Sequence, residues 1–305
     1  MSSVNSLQVL LPDFAVIALG ALIGRKISHD GWRHIDWLCF YLLYPALLFN
    51  AASQRPIELG SLLTIGLLAA LLVSAGFVLA MLAGFFLSND TSLDTAGISQ
   101  NAWRFNTALG FVAITALPGE GAAILAIVVG VAIPLANLYA VTGLTRGQSH
   151  SRLAQLGEIA RNPFLLASVL GVLVGLSGHA VPAGISSFVA RLADAAIPVV
   201  LLSLGAALRQ SRIWPPDRYS LSISAIKLLV LPALVSGVVL ITGARGVVPA
   251  TLLIFAALPT ATAAHVLAAR YGADRSRVAI VVMQSTALGL LTLPMWTALA
   301  ASVAQ

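Results

Sequence analysis

Ten apolar runs, most of them near or above 20 residues, constrain this chain more than anything else in it. A helix needs about 20 mostly apolar residues to cross a bilayer core. Hydrocarbon offers no partner to a backbone N–H or C=O, so a spanning segment must satisfy them within itself or in a closed barrel. The runs cover 7–25, 36–54, 59–87, 95–117, 121–145, 162–178, 184–210, 219–243, 247–271 and 276–302. They predict an all-α integral membrane fold of ten spans. Composition points the same way: 9% of the 305 residues are charged and 59% are hydrophobic, whereas a soluble chain is about a quarter charged. The third and seventh runs are long enough to require tilt or an extension into water.

Charge settles orientation rather than binding. The net charge of +6 could suggest nucleic acid, but the basic residues lie in short loops between apolar runs. Three follow span 1 (Arg25, Lys26, Arg33), three follow span 5 (Arg146, Arg152, Arg161) and three follow span 7 (Arg209, Arg212, Arg218). Three more follow span 9 (Arg270, Arg275, Arg277), whereas the loops of the other face offer only Arg55 and Arg245. By the positive-inside rule the odd-to-even loops are cytoplasmic and both termini lie outside. MSSVNSLQ has no basic residue, so no cleaved signal peptide is expected. Cys39 is the single cysteine, which excludes an intramolecular disulfide and a cysteine-rich metal site. No metal and no cofactor are expected.

The chain repeats itself in weak but aligned matches. At an offset of 153, Asn106-Thr107-Ala108 falls on Pro259-Thr260-Ala261, Gly119 on Gly272, and Ile127-Val128-Val129 on Ile280-Val281-Val282. Pro45 meets Pro198 at that offset, and Gly20-Ala-Leu-Ile-Gly24 recurs as Gly171-Val-Leu-Val-Gly175 at 151. Spans 1–5 therefore resemble spans 6–10, giving an N-terminal repeat at 1–148 and a C-terminal one at 149–305. Five is odd, so the halves must be inverted, a pattern of many secondary transporters. The Gly-x-x-x-Gly pairs read as close helix packing.

Polar residues concentrate where the repeat aligns best. Span 4 carries Gln100, Asn101, Arg104, Asn106 and Thr107 within eight residues, more than a lipid-facing helix tolerates. Gln100, Arg104 and Thr107 would share a face of an unbroken helix. Asn106 is a poor helix-interior residue and a good N-cap, so span 4 is expected to break there and restart over 107–117. Pro259 should break span 9, because proline lacks an N–H and crowds the preceding turn. Two half-helix N-termini, starting at Thr107 and Thr260, would then meet at mid-membrane. Their N–H groups and dipoles favour an anion, typically a carboxylate. Thr262 stands in the same turn.

Arg104 is a counter-charge for that anion, the partner of an acid such as Asp13, or a side chain that reaches toward the cytoplasmic surface. Asn137 and Gln284, in the spans that follow, line the path or bond between helices. Arg191 and Asp194 should neutralise each other. Lys227 is expected to snorkel to the cytoplasmic surface, His265 to be a packed histidine, and Asp90 and Asp94 to be solvated in a polar turn. Gly-x-Ser-x-Gly, His-Glu-x-x-His, P-loop and Rossmann patterns are absent, so an enzyme is not expected.

The run from Asp13 to Gly24, the segment Tyr44-Pro45-Ala-Leu-Leu-Phe-Asn50, Arg104-Phe-Asn106-Thr107-x-x-Gly110 and Leu258-Pro259-Thr260-Ala-Thr262 resemble the auxin efflux carrier family. That family includes bacterial permeases for malate and malonate as well as plant auxin exporters. The resemblance spans essentially the whole chain. It implies a scaffold of spans 1, 2, 6 and 7, a moving domain of spans 3–5 and 8–10, and an elevator-like carrier of a mono- or dicarboxylate. It further implies an inner-membrane location and a scaffold-mediated homodimer. The substrate residues it suggests, together with those read from the polar clusters, are Asn101, Arg104, Asn106, Thr107, Asn137, Pro259, Thr260, Thr262 and Gln284. This chain departs from the pattern by lacking a proline at the span 4 break, and its 146–161 linker is short. A sodium-coupled symporter of bile-acid type and a non-transporting sensor are the rival readings; a proton or sodium ion is the coupling cation to be tested.

Overall fold

The computed structural model describes residues 12, 15–16, 18–53, 59–145, 157, 160–161, 163–210, 217–261, 264, 267–268 and 271–305. Every regular element among them is helical. In chain order these are α1 (His29–Leu38), α2 (Tyr44–Ser53), α3 (Leu59–Leu87), α4 (Ser92–Ser99), α5 (Thr107–Ile114), α6 (Gly121–Leu144), α7 (Pro163–Ser177), α8 (Ala183–Gln210), α9 (Arg218–Ala225), α10 (Leu231–Thr242), α11 (Val247–Ala257) and α12 (Arg275–Val303). Among the described residues, five stretches are long and apolar enough to cross a membrane: Leu63–Leu87, Gly121–Leu144, Ala183–Ser203, Arg218–Thr242 and Arg277–Val303. The protein is thus a multi-pass membrane protein. The elements follow the apolar runs to within a residue or two, except at spans 1, 2, 4 and 9. Of span 1 mainly 18–23 is described, as helix. Span 2 starts earlier than expected, because the polar α1 leads into it without a break.

Two of these passages share a device. α1 joins α2 through a π turn, Cys39–Leu43, in which the Tyr44 N–H donates to the Cys39 carbonyl. α9 joins α10 through the π turn Ile226–Val230, with the Leu231 N–H donating to Ile226. Each turn ends two residues before a proline, Pro45 or Pro232. Proline takes one donor from the ladder and crowds the carbonyl four residues back, and widening the turn by one residue relieves that crowding.

Packing and loop bonds give the bundle its ends. Arg277 pairs with Asp90 and, at 3.4 Å, with Asp217, while the Asp274 N–H donates to Asp94 at 2.7 Å. The loops before α4, α9 and α12 therefore lie together. At the far ends of α10 and α12, the Gly246 N–H donates to Val303 and Arg245 to Ser302. This agrees with the parity of the charge pattern. Asp90 and Asp94 are consequently not merely solvated, as expected above. The Asp274 N–H, and then the Thr91 hydroxyl, hold the Asp94 carboxyl below its ordinary value. For Asp217 burial pushes upward, but hydrogen bonds from Ser220 and Arg277 prevail and hold it low.

Close packing of the Gly-x-x-x-Gly pair is borne out in span 1. A Cβ at Gly20 would lie 2.2 Å from the Leu202 carbonyl oxygen, and one at Gly24 3.0 Å from the Ala206 Cα. The aligned glycines Gly119 and Gly272 both adopt positive φ, 74° and 84°, a backbone echo of the repeat. The centre of the bundle is occupied by the interrupted helices. All eight residues of α5 are buried, as is α11 from Ala250 to Ala257. α10, by contrast, exposes Leu240 and Ile241 as a lipid-facing helix does.

Candidate site at the crossing of the interrupted helices

Span 4 breaks without a proline. α4 tightens into a 3₁₀ turn, Gln100–Ala102; the Arg104 N–H still bonds back to the Gln100 carbonyl at 3.1 Å, and residues 104–106 then lie outside helix until Thr107. Asn106 is extended (φ −84°, ψ 100°), and its carboxamide oxygen accepts from the Leu109 N–H at 3.3 Å. That is an N-cap, as its residue type predicted. The break is wider than expected and α5 shorter, ending at Ile114 rather than Leu117. Gln100, Arg104 and Thr107 do not share a helical face, because no helix runs through them.

Span 9 breaks where proline predicts. α11 ends at Ala257, Leu258 turns extended (φ −61°, ψ 137°), and 258–261 lie outside helix. The two breaks meet directly: the Asn106 N–H donates to the Pro259 carbonyl at 2.7 Å. This backbone bond ties two segments 153 residues apart, at the position where the sequence repeat aligned them.

Side chains complete the junction. Thr260 donates its hydroxyl to the Asn101 carboxamide oxygen at 3.3 Å, and Asn101 donates to the Ile98 carbonyl at 2.9 Å. Gln100 donates to Gly97 and, across the junction, to Ala264. Arg104 is 7% exposed and reaches span 5, where Nη2 donates to the Asn137 side-chain oxygen at 2.9 Å. Its observed partner is thus a neutral amide; Asp13, the acid considered from sequence, lies outside the described residues, as do Thr262 and His265. Arg104 Nε and Gln100 Oε1 are buried with no partner among the described residues, the kind of orphaned groups that call for an explanation. Thr107 and Gln284 are buried at 5% and 2% exposure. The structure therefore brings Asn101, Arg104, Asn106, Thr107, Asn137, Pro259 and Thr260 to one junction and buries Gln284 in α12.

Three participants escaped the sequence reading. Ser285, beside Gln284, accepts the Thr260 N–H at 3.1 Å. One of the half-helix donors expected to be open is thereby taken, as the Leu109 N–H is taken by Asn106. Gly289 on α12 makes room for Pro259: a Cβ there would lie 2.3 Å from the proline Cγ. Lys227 does not snorkel. It is 2% exposed, and Nζ donates to the Ala256 carbonyl at 3.2 Å, at the C-terminal end of α11. The adjacency of Ser285 to Gln284 was the one available signal among these; a lone glycine or lysine in an apolar run carries none.

Comparison with known proteins points to membrane transport. Residues 154–297 match the family model described as "Membrane transport protein". A relative from Rhizobium meliloti (strain 1021), described as "Putative malonate transporter", is 26% identical over 307 residues, covering 93% of this chain and 92% of the relative. An "Uncharacterized transporter" from Methanothermobacter thermautotrophicus is 31% identical over 136 residues, 44% of each chain. The resemblance to the auxin efflux carrier family, read from motifs spread along the chain, is borne out by these matches.

Proposed function

We propose that this protein is a secondary active transporter of a small organic anion, a mono- or dicarboxylate, bound where the two interrupted helices meet. The observation that carries the reading is Arg104: a buried guanidinium at the junction, paired with an amide and keeping an orphaned N–H. Neutralising that charge with a carboxylate lowers the cost of carrying the loaded site across hydrocarbon. Asn101, Thr260 and the start of α5 supply the neutral donors beside it, with Asn106, Thr107, Asn137, Pro259, Thr262 and Gln284 completing the proposed lining. The Rhizobium relative's description makes malonate the first acid to try.

The same reading takes the chain as ten spans in two inverted halves, 1–148 and 149–305. Spans 1, 2, 6 and 7 form the scaffold, and the rest moves as an elevator. The protein sits in the inner membrane with both termini outside, as a homodimer, with a proton or sodium gradient as the energy source.

Flux of radiolabelled malonate, malate and an aromatic acid into proteoliposomes, with and without sodium and pH gradients, tests it. Saturable uptake of one acid is expected, reduced at least about tenfold in Arg104→Ala and less in Thr260→Val, as for loss of a charged and a neutral hydrogen bond. Uptake unchanged in both variants would remove the site from the junction. Strict sodium dependence would favour the bile-acid type of symporter. Binding without flux under every gradient would favour a sensor.

A further inference from the structure

Burial in this bundle is one-sided in charge. Among the described residues the buried charged side chains are Arg104 and Lys227, and no carboxylate is buried with them. The two cations come from different halves of the chain and converge on one junction. Arg104 precedes Phe105, whose ring packs edge-on against Phe255 with centroids 4.5 Å apart. Lys227 Nζ stands 5.7 Å from the centre of that same Phe255 ring and donates to the carbonyl of the next residue, Ala256. Pro259, which accepts the Asn106 N–H, lies three residues further on.

The surroundings of Lys227 compensate its charge only in part. A carbonyl, a ring face and the C-terminal end of α11 each offer partial negative charge. None is a full counter-charge, and the bond to Ala256 uses one of three N–H donors. In a low-dielectric interior a fixed cation calls for an anion.

We infer that Lys227 is a charge-selecting residue of the transported site and that, with Arg104, it sets the favoured load at two negative charges. The inference rests on the anion-transport reading above. A dianion leaves the moving domain neutral. A monoanion leaves one positive charge to be driven through the membrane field, which makes its flux sensitive to potential.

The experiment compares malonate with its monoamide, which has nearly the same shape and one charge fewer. Uptake is measured as exchange, in sodium-free proteoliposomes preloaded with a saturating concentration of the same acid and at equal pH on both sides, so that the carrier crosses loaded in both directions, with and without an imposed potassium diffusion potential. The wild-type protein should prefer malonate by about tenfold or more, and its malonate flux should ignore the potential. Lys227→Gln should lose the preference and make malonate flux voltage-sensitive; Lys227→Arg should keep the wild-type pattern. Equal wild-type uptake of both acids, or a Lys227→Gln protein that retains preference and voltage insensitivity, overturns the inference. If Lys227→Gln does not assemble, the wild-type comparison decides by itself. Failure of the wild type to move either acid both here and under the sodium and pH gradients described above would defeat the transport reading, an outcome distinct from transport without charge selection.

Discussion

The two interruptions at the centre of the bundle reach similar backbone geometry by opposite chemistry. In span 9 the helix stops two residues before a proline, and the segment that stops is itself apolar: Ala256, Ala257 and Leu258 are all fully buried. In span 4 no proline is present, and the chain unwinds gradually through a 3₁₀ turn and an extended stretch that a side-chain cap closes. The proline break is local and written into one residue. The polar break is cooperative: Asn106, Arg104, Asn101 and Gln100 each replace a lost helical bond or reach another segment. It follows that the polar break supplies most of the side-chain chemistry at the junction, while the proline break supplies a backbone acceptor and a fixed shape.

That contrast can be broken at the proline side by crowding it. Gly289→Val would drive side-chain carbons into the Pro259 ring, at a cost of about 3 kcal/mol; a large fall in the unfolding temperature in detergent, with loss of flux, is expected. At the position 153 residues earlier stands Ala136, so Ala136→Gly should be far milder. Ser285→Ala comes next. It leaves the buried Thr260 N–H without its acceptor, for about 2 kcal/mol, read out in the same thermal assay; an unchanged unfolding temperature would mean that Thr260 finds another acceptor.

At the polar side, Asn106→Ala removes a single cap, for about 1 kcal/mol. Because the Asn106–Pro259 bond is between backbones, it survives the substitution, and α5 should fray rather than rejoin α4. Combining Asn106→Ala with Pro259→Ala should give a change different from the sum by about 0.5 kcal/mol or more, since both act on one junction. Strict additivity would show the two breaks to be independent.

The smallest effect lies at the loop end. The folded Asp94 carboxyl lies below its ordinary value, so its contribution is present above the ordinary value and lost as pH falls through the lower, folded one. Thermal scans of wild type and Asp94→Asn should coincide more closely as the medium becomes acidic and differ slightly near neutrality, with the wild type the more stable.

How much of this was legible depended on what each residue needs. Asn106 and Pro259 were readable because caps and helix breakers act through their own backbone neighbourhood. The 153-residue alignment foretold which segments would meet. Arg104 was visible as an anomaly, but its partner Asn137 was one of several isolated amides until packing chose it. Lys227 was misjudged because its distance from the membrane surface counts along the chain, whereas its direction depends on which helix lies beside it. Asp90 and Asp94 were misjudged likewise, since Arg277 reaches the first and the Asp274 N–H the second only once three loops share an end.

The sequence by itself determined the membrane-spanning class, the helix boundaries over most of the chain, the positions of both breaks and their correspondence. Periodicity, hydropathy and backbone chemistry are local, and the bilayer leaves few alternatives. Only the tertiary structure decided that Asn106 bonds to Pro259, that Ser285 closes the Thr260 N–H, that Gly289 must stay small, and that Arg104 and Lys227 converge from different halves of the chain. These are contacts between distant segments, and their energies depend on directions and distances that no local pattern encodes.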